Sequence, residues 1–291
     1  MDIDLDEISS NPLGLPFTKL HGNGNDFILI DEMGGELVPD TLKSIFAIHC
    51  CRRNFGVGGD GVLFLSISEQ AEVKMRLFQP DGSEAEMCGN GVRCLAKYVW
   101  DRGYVDSCFS VETPAGIIPL KVREIDGNFW SRVDMGVPLF HRDDIPAQGE
   151  GEFLKVEMGG FEVSAVNTGV PHAVVLVEDL DLQISEIAPF IRYNDIFPQG
   201  ANVNFVKVGP PFQVRTYERG VEAETLSCGT GALASAAVAR KLGLVDDEVF
   251  VETRGGPLMI SFQNGRAYMD GPAVSVYVGE LCDDFTTQIQ E

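Results

Sequence analysis

Apolar residues recur along this chain with two periodicities, one typical of strands and one typical of helices. Strand-like runs rich in β-branched and aromatic residues are "FILID" (27–31), "VLFLSI" (62–67), "VKMRLF" (73–78), "AVVLV" (173–177), "NVNFVKV" (202–208) and "FQVRTYE" (212–218). Runs with apolar residues at helical spacing are "DTLKSIFAIHCC" (40–51), "VRCLAKYVWDRG" (92–103), "DLQISEIAPFI" (181–191) and "ALASAAVARKLG" (232–243). Strands outweigh helices, which predicts α+β domains, each with a sheet wrapped on a long helix.

The order of these elements is the same in the two halves of the chain, and two short motifs recur at one spacing. "ExxxCGxG" stands at Glu84–Gly91 and again at Glu224–Gly231. "VETPAG" from Val111 returns as "VETRGG" from Val251, with the same offset in residue number as the first pair. Two matches at one spacing indicate an internal duplication.

The duplication predicts the domain organisation. We expect a disordered tail over residues 1–16, an N-terminal half-domain over 17–132 and a C-terminal half-domain over 133–272, with the last strand, about 273–282, returning to the first half. The Pro- and Gly-bearing stretch Met135–Glu152 is the expected connection.

Composition excludes several classes of protein. The chain has 291 residues, 44% of them hydrophobic, and a net charge of -22, which argues against nucleic acid or anionic membranes as partners. No apolar run reaches the roughly 18 residues of a membrane helix. The first residues have neither a basic start nor an apolar block, so we expect no signal or transit peptide and a cytoplasmic location.

The seven cysteines do not suggest a disulfide framework or a metal site. Their number is odd, no C-x-x-C pair occurs and the four histidines are scattered, so we expect no structural zinc. Five of them are interpreted as small buried apolar residues: Cys50, Cys51, Cys94, Cys108 and Cys282.

Cys88 and Cys228 differ from the others because each stands where a helix is predicted to begin, directly before Gly-x-Gly. The unpaired backbone N–H groups of a helix start favour a thiolate over a thiol and lower the pKa from about 8.5 to roughly 3.5–7.5. The glycines let the backbone approach a ligand, and the same N–H groups can hold a substrate carboxylate.

If both predicted helices point at one cleft, the two sulfurs lie on opposite faces of the carbon next to a bound carboxylate. One thiolate can then remove a proton while the other, as a thiol, donates one to the opposite face. The duplicated pattern therefore predicts inversion of a stereocentre without a cofactor, with the roles of the thiols exchanged for the reverse direction.

Other interpretations of the same residues fit less well. A redox role would need a resolving cysteine, and Cys94 lies inside the helical pattern. A hydrolase with a Cys–His pair could use His172, but would leave the second cysteine idle. "GVGGDG" at Gly56–Gly61 precedes a strand-like run, so the dinucleotide interpretation fails. A binding protein that lost catalysis remains open, although both cysteines are present.

The chain closely resembles diaminopimelate epimerases from Phe17 to about Leu281. The motifs that carry the resemblance are "KLHGNGNDFILID", "GVGGDGV", "PDGSEAEMCGNGVRC", "NTGVPHAV", "ANVNFV" and "YERGVEAETLSCGTGA". Proline racemases share the two-thiol plan but typically have His where this chain has Asn90, and phenazine-biosynthesis isomerases lack the cysteine pair. The resemblance implies two pseudo-symmetric, mostly antiparallel domains and interconversion of LL- and meso-2,6-diaminopimelate, for lysine and peptidoglycan precursors.

The resemblance also implies roles for particular residues, a homodimer, and no pyridoxal phosphate or metal. Cys88 and Cys228 resemble the acid/base pair, and His172 and Glu218 resemble residues that tune the thiol pKa values. The positions that resemble substrate contacts are Asn25, Gln79, Gly89, Asn90, Asn202, Glu218, Arg219, Gly229 and Thr230.

Three positions depart from the family pattern, and all bear on the substrate. Val170 replaces an amide side chain, Gln79 stands where Asn is expected, and Gly61 replaces a polar residue. A related two-cysteine racemase of another amino acid, such as histidine, is therefore the nearest alternative.

Overall fold

The structure is a computed structural model in which residues 14–290 are described. The strands are β1 (Leu15–Gly22), β2 (Asn25–Asp31), β3 (Gly61–Ser66), β4 (Val73–Phe78), β5 (Glu84–Ala85), β6 (Cys108–Thr113), β7 (Gly116–Ile125), β8 (Asn128–Gly136), β9 (Val156–Met158), β10 (Phe161–Asn167), β11 (Pro171–Leu176), β12 (Asn202–Lys207), β13 (Phe212–Glu218), β14 (Ala223–Thr225), β15 (Glu248–Thr253), β16 (Gly256–Gln263), β17 (Arg266–Pro272) and β18 (Val274–Leu281). The α-helices are α1 (Lys43–Cys51), α2 (Gly89–Asp101), α3 (Ile184–Arg192), α4 (Gly229–Lys241) and α5 (Asp283–Gln290). The predicted tail falls mainly on residues 1–13, which lie outside the described residues, and β1 begins at Leu15.

The chain divides into two compact units, one made of Met1–Ser131 with Pro272–Glu291 and the other of Arg132–Gly271. In the first unit β18 pairs with β1 and β1 with β2, both antiparallel. β2 and β3 are parallel, β3 and β4 antiparallel, β4 and β6 parallel, and β6 and β7 antiparallel. Helix α2 packs against β1, β2, β3, β4, β7 and β18, so it is the central helix of this unit.

The second unit repeats this plan. β9, β10 and β11 pair antiparallel, β11 and β12 parallel, β12 and β13 antiparallel, β13 and β15 parallel, and β15, β16 and β17 antiparallel. Helix α4 packs against β10, β11, β12, β13, β15 and β16. Its residues from Ala232 to Ala239 are all buried, which explains why this helix is built from alanine and other small residues. The predicted fold class, a mostly antiparallel sheet around a central helix in each unit, is confirmed.

The expected connection belongs to the second unit. Ile145 and Phe153, within or beside the stretch Met135–Glu152, are buried in an apolar cluster with Ile184 of α3 and Phe205 of β12. The chain passes from the first unit to the second earlier, between Ser131 and Arg132 inside β8. The Gly and Pro content was a poor guide here because apolar side chains anchor this irregular segment to a core.

The prediction that five of the cysteines are buried is confirmed for three of them and wrong for two. Cys50, Cys51 and Cys94 are buried, and burial raises the pKa of Cys51 to about 12. Cys108 and Cys282 are exposed. Cys108 opens β6 at an outward position of the strand's alternation, and Cys282 follows the last residue of β18.

Within the described range, no helix combines the length and the apolar character needed to cross a bilayer.

Candidate active site

Each of the two predicted cysteines occupies the N-cap position of the central helix of its unit. Cys88 immediately precedes Gly89, where α2 begins, and Cys228 immediately precedes Gly229, where α4 begins; both cysteines have extended backbone. The carbonyl of Cys88 accepts from Val92 N, and that of Cys228 accepts from Ala232 N, each at 2.9 Å. The thiols therefore lie at the positive ends of two helices, as the sequence predicts.

In the first unit an amide side chain on β2 joins the thiol to the start of α2. The Cys88 thiol donates to Asn25 Oδ1 over 3.8 Å, and Asn90 Nδ2 donates to the same oxygen over 3.1 Å. Asn25 Nδ2 in turn donates to Asp60 Oδ2 at 2.7 Å. Asn25, Asn90 and Cys88, which the resemblance placed in the site, are thus brought together from β2 and α2 by direct hydrogen bonds.

An ionic group lies behind Asn25. Asp60 accepts from Arg53 at 2.7 Å, and the same guanidinium pairs with Asp26, which also pairs with Lys19 at 2.6 Å. Burial opposes ionisation of Asp26, but hydrogen bonds from Arg53 and Lys19 outweigh it and hold its pKa at about 2. Because Asp60 accepts from Asn25 Nδ2, it orients the amide of Asn25 with Oδ1 toward the Cys88 thiol.

Arg93, the fifth residue of α2, is fully buried and interacts electrostatically with Cys88. Its guanidinium donates to Asn90 Oδ1 at 2.6 Å, to Asn23 Oδ1 at 2.9 Å and to the carbonyl of Pro272. Burial lowers the pKa of Arg93 to about 10, which still leaves it charged at neutral pH. A buried cation close to Cys88 favours the thiolate, in addition to the helix end.

Gln79 lies apart from the contacts described so far. Its side-chain Nε2 donates to Ser83 Oγ at 3.3 Å, and its backbone N–H donates to the Ser83 carbonyl at 2.8 Å. Gln79 thus stabilises the turn between β4 and β5, and its role as a substrate contact stays a prediction.

In the second unit Cys228 is buried and its sulfur lies 3.4 Å from Thr230 Oγ1. The Thr230 carbonyl accepts from Thr168 Oγ1 at 3.1 Å, which ties the start of α4 to the end of β10. Glu218, the last residue of β13, accepts from Thr225 Oγ1 at 2.5 Å.

Asn202 and Arg219 are joined through the backbone. Asn202 Oδ1 accepts from Arg219 N at 2.8 Å, while Asn202 Nδ2 donates to the Pro171 carbonyl at 3.2 Å. The Arg219 guanidinium donates from Nη1 to the carbonyls of Gln199 and Gly200 at 3.0 and 3.3 Å. These carbonyls both accept from Nη1 and so orient one edge of the guanidinium.

His172 of β11 is fully buried, and its register partner across the parallel β11–β12 pair is Asn202. Its Nδ1 lies 3.1 Å from Asn204 Nδ2, and among the described residues its Nε2 has no hydrogen-bond partner. Burial, aided by the nearby Arg219 charge, lowers the pKa of His172 to about 3, although the hydrogen bond with Asn204 acts in the opposite direction. The ring is therefore neutral at physiological pH.

The second glycine of Cys-Gly-Thr-Gly allows a polar cluster to lie against the start of α4. A Cβ at Gly231 would come within 2.4 Å of Asn204 Oδ1, 3.0 Å of Thr216 Oγ1 and 3.2 Å of Cys228 Cβ. Contacts under about 3 Å are not tolerated in a packed interior, so only glycine fits here.

Sequence reasoning missed the residues that hydrogen-bond to the predicted site residues. These are Asp60, Arg93, Asn204 and Thr168, together with Thr216, which acts through Asn204. Asp60 falls in the "GVGGDGV" motif and Asn204 in "ANVNFV", so both stood inside quoted motifs without an assigned role. Among residues 14–290, no group of three or more His, Cys, Asp or Glu side chains is arranged to hold a metal ion. The chemistry that these residues can perform is acid/base catalysis by thiols beside a carboxylate-binding helix start.

Comparison with known proteins identifies the family of this chain. The family model described as diaminopimelate epimerase matches residues 17–140 and 164–276. The diaminopimelate epimerase of Methanothrix thermoacetophila is 63% identical, covering 95% of this chain and 99% of its own. Those of Methanocella arvoryzae and Archaeoglobus fulgidus are 53% and 52% identical, covering 94% and 92% of this chain and 98% and 96% of theirs.

Solved structures at low identity share the fold. A phenazine biosynthesis protein of the PhzF family from Bacillus anthracis superposes with a TM-score of 0.70 at 18% identity, covering 92% of this chain and 99% of its own. A probable proline racemase from Agrobacterium radiobacter gives 0.65 at 15% identity, covering 93% of each chain. The fold is thus common to several chemistries, whereas the sequence match extends over nearly the whole chain, and the chain belongs to the diaminopimelate epimerase family.

Proposed function

We propose that this chain interconverts LL- and meso-2,6-diaminopimelate by moving a proton at Cα with two thiols and no cofactor. The observation that carries the proposal is the 63% identity, over 95% of the chain, to a protein named diaminopimelate epimerase. The capping of both central helices by cysteine supports the mechanism, because two acid/base groups are needed for inversion.

In this mechanism Cys88 and Cys228 serve opposite faces of one Cα. The one that is a thiolate removes the proton, and the other delivers its thiol proton to the opposite face. Removal of the proton leaves a carbanion at Cα, which resembles an enolate because its negative charge spreads onto the substrate carboxylate. Backbone N–H donors at the two helix starts, Gly89–Asn90 and Gly229–Thr230, stabilise this charge, and each preorganised donor of this kind is worth about 3–4 kcal/mol.

The surrounding groups prepare the thiols for this exchange. Asn25 holds the Cys88 thiol through Oδ1, and the buried Arg93 favours its thiolate. His172 and Glu218 tune the thiol pKa values in our proposal, His172 as a neutral imidazole. The environments of the two thiols differ, since Cys88 contacts the Asn25 amide and Cys228 the Thr230 hydroxyl.

The distal end of the substrate carries a second carboxylate and a second amino group. We propose that Arg219 binds that carboxylate with the guanidinium donors not used by Gln199 and Gly200, and that Gln79, Asn202 and Glu218 contribute polar contacts. A racemase of another amino acid is not favoured, because the relatives at 52–63% identity bear the name of diaminopimelate epimerase.

We further propose a homodimer in the cytoplasm. The exposed apolar side chains of β18, Val274, Val276 and Val278, support a self-association surface. A reducing compartment suits an enzyme that needs two reduced thiols. Sedimentation velocity of the full chain tests the dimer, and a single species at the mass of one chain would contradict it.

The decisive experiment follows the Cα proton in heavy water. Incubation of LL-diaminopimelate with the enzyme in ²H₂O should give meso product with one solvent deuteron at the inverted centre, read by mass spectrometry and proton NMR. Lysine, alanine, proline and histidine should exchange far more slowly, since a site built for a polar group rejects analogues lacking it by as much as roughly 10⁴–10⁵-fold. Equal exchange with a monocarboxylic amino acid would refute the substrate, and no exchange with any of them would refute the mechanism.

A further inference from the structure

Asn204, in the middle of β12, makes hydrogen bonds that leave its side-chain amide a single orientation. It is fully buried, its Nδ2 donates to the Ala173 carbonyl at 3.0 Å, and its Oδ1 accepts from Thr216 Oγ1 at 2.9 Å. A hydroxyl can donate or accept, but a backbone carbonyl only accepts. If the amide were turned over, Oδ1 would face the Ala173 carbonyl, and two buried acceptors would meet without a proton between them.

The orientation of this amide decides where His172 carries its proton. The second N–H of Asn204 Nδ2 points to His172 Nδ1 at 3.1 Å, so Nδ1 must be the acceptor. A neutral imidazole has one proton, which therefore resides on Nε2. The ring is fully buried, and among the described residues Nε2 has no hydrogen-bond partner. The Nε2–H group of His172 is thus a donor that makes no hydrogen bond with the described residues.

The same cluster lies against the thiol-bearing helix start. A Cβ at Gly231 would be 2.4 Å from Asn204 Oδ1 and 3.2 Å from Cys228 Cβ, so the amide packs directly beside the first turn of α4. The position in the first unit that corresponds to Asn204 is Leu63, because Leu63 pairs with Leu77 of β4 as Asn204 pairs with Thr216 of β13. Leu63 is buried and has no polar side-chain atom. A Cβ at Gly91 would accordingly meet the Leu63 and Phe27 side chains at 3.3 and 3.7 Å. The polar cluster therefore belongs to the second unit's thiol and is not a general feature of the duplicated fold.

We propose that Asn204 is a positioning residue that fixes His172 as the Nε2–H tautomer, so that the imidazole acts as a hydrogen-bond donor, and not as a base, in the site around Cys228. The donor can stabilise negative charge on a sulfur or on a substrate carboxylate, whereas the opposite tautomer would present a lone pair and repel that charge. The effect on turnover rests on the proposed function, but the tautomer does not.

Nitrogen-15 NMR of the full chain, labelled at histidine, reads the tautomer directly. The His172 signals are assigned by their loss in His172→Gln. We expect wild type to show a protonated Nε2 and an acceptor Nδ1. A proton on Nδ1, or on both nitrogens at neutral pH, would overturn the proposal. This measurement needs no Asn204 variant, so it decides the tautomer even if such a variant does not fold.

Two variants then test the cause. Asn204→Asp keeps the size, and its ionised carboxylate can only accept, so it should draw a proton to Nδ1. Thr216→Val is the matched control, because it removes the hydroxyl from the same cluster but leaves both Nδ2 bonds, and it should keep the wild-type tautomer. An unprotonated Nδ1 in Asn204→Asp, or a protonated Nδ1 in Thr216→Val, would refute control of the tautomer by Asn204.

Turnover tests the positioning role. We expect kcat of Asn204→Asp to lie about 10–100-fold below that of Thr216→Val, the size of effect seen when a group that orients a metal-ligating histidine is lost. If the tautomer reverses while kcat stays with the control, Asn204 is structural and the positioning role is wrong. Absence of epimerisation by wild type would instead refute the proposed function and leave the tautomer result standing.

Discussion

Protonation of His172 should cost this protein stability in mildly acid solution. The ring is fully buried, and burial with the nearby Arg219 charge lowers its pKa from 6.5 to about 3. Between about pH 6.5 and pH 3, His172 is therefore protonated in the unfolded chain but neutral in the folded chain. Stability should fall as the pH drops below about 6.5, and the loss should continue to about pH 3.

The size of the loss follows from the two pKa values. Between pH 7.5 and pH 5.0 the linkage relation for one such group gives about 2 kcal/mol of lost unfolding free energy. Full burial means that solvent screening does not reduce this figure. It is a large fraction of the roughly 5–15 kcal/mol that stabilises a typical domain.

The assay is urea unfolding of wild type and His172→Gln at both pH values, followed by circular dichroism. The difference between the pH values should be about 2 kcal/mol smaller in His172→Gln, because glutamine does not titrate. His141→Gln is the matched control, since the same substitution is made at a histidine whose side chain is 50% exposed instead of buried. If wild type and His172→Gln lose equal stability on acidification, the buried neutral imidazole is wrong.

Four further results are expected. Cys88→Ala and Cys228→Ala should each abolish epimerisation while the circular dichroism spectrum stays native; turnover by either variant would exclude the two-thiol mechanism. Gly231→Ala should lower the melting temperature far more than Gly91→Ala, because its Cβ would lie 2.4 Å from a buried amide oxygen and that at Gly91 no closer than 3.3 Å to a side chain; equal shifts would contradict this. Storage in air should inactivate the enzyme through oxidation of Cys88 or Cys228, which mass spectrometry of a peptide digest detects; recovery of both as free thiols from inactive enzyme would rule it out. Arg219→Ala should cost diaminopimelate about 2–5 kcal/mol in kcat/KM; an unchanged kcat/KM would remove Arg219 from the substrate site.

Local pattern was sufficient for much of the fold. The helical spacing after each Cys-Gly-x-Gly predicted α2 and α4, and the two motifs repeated at one offset predicted two units of one plan. Such features depend on neighbours in sequence, where periodicity and turn residues act directly. The pattern was weaker for the segment Met135–Glu152, whose glycines and prolines suggested a linker although Ile145 is buried in the second unit's core.

What the sequence alone determined about the site is the identity of its two thiols, because a cysteine at a helix start is a local feature with a chemical consequence. The residues around each thiol depend on chain segments far apart. Asn25 meets Asn90 across 65 positions, and His172 meets Asn204 across 32, through the parallel pairing of β11 and β12. Only the tertiary structure shows which buried polar group faces which, and in a low-dielectric interior that pairing decides charge, tautomer and reactivity.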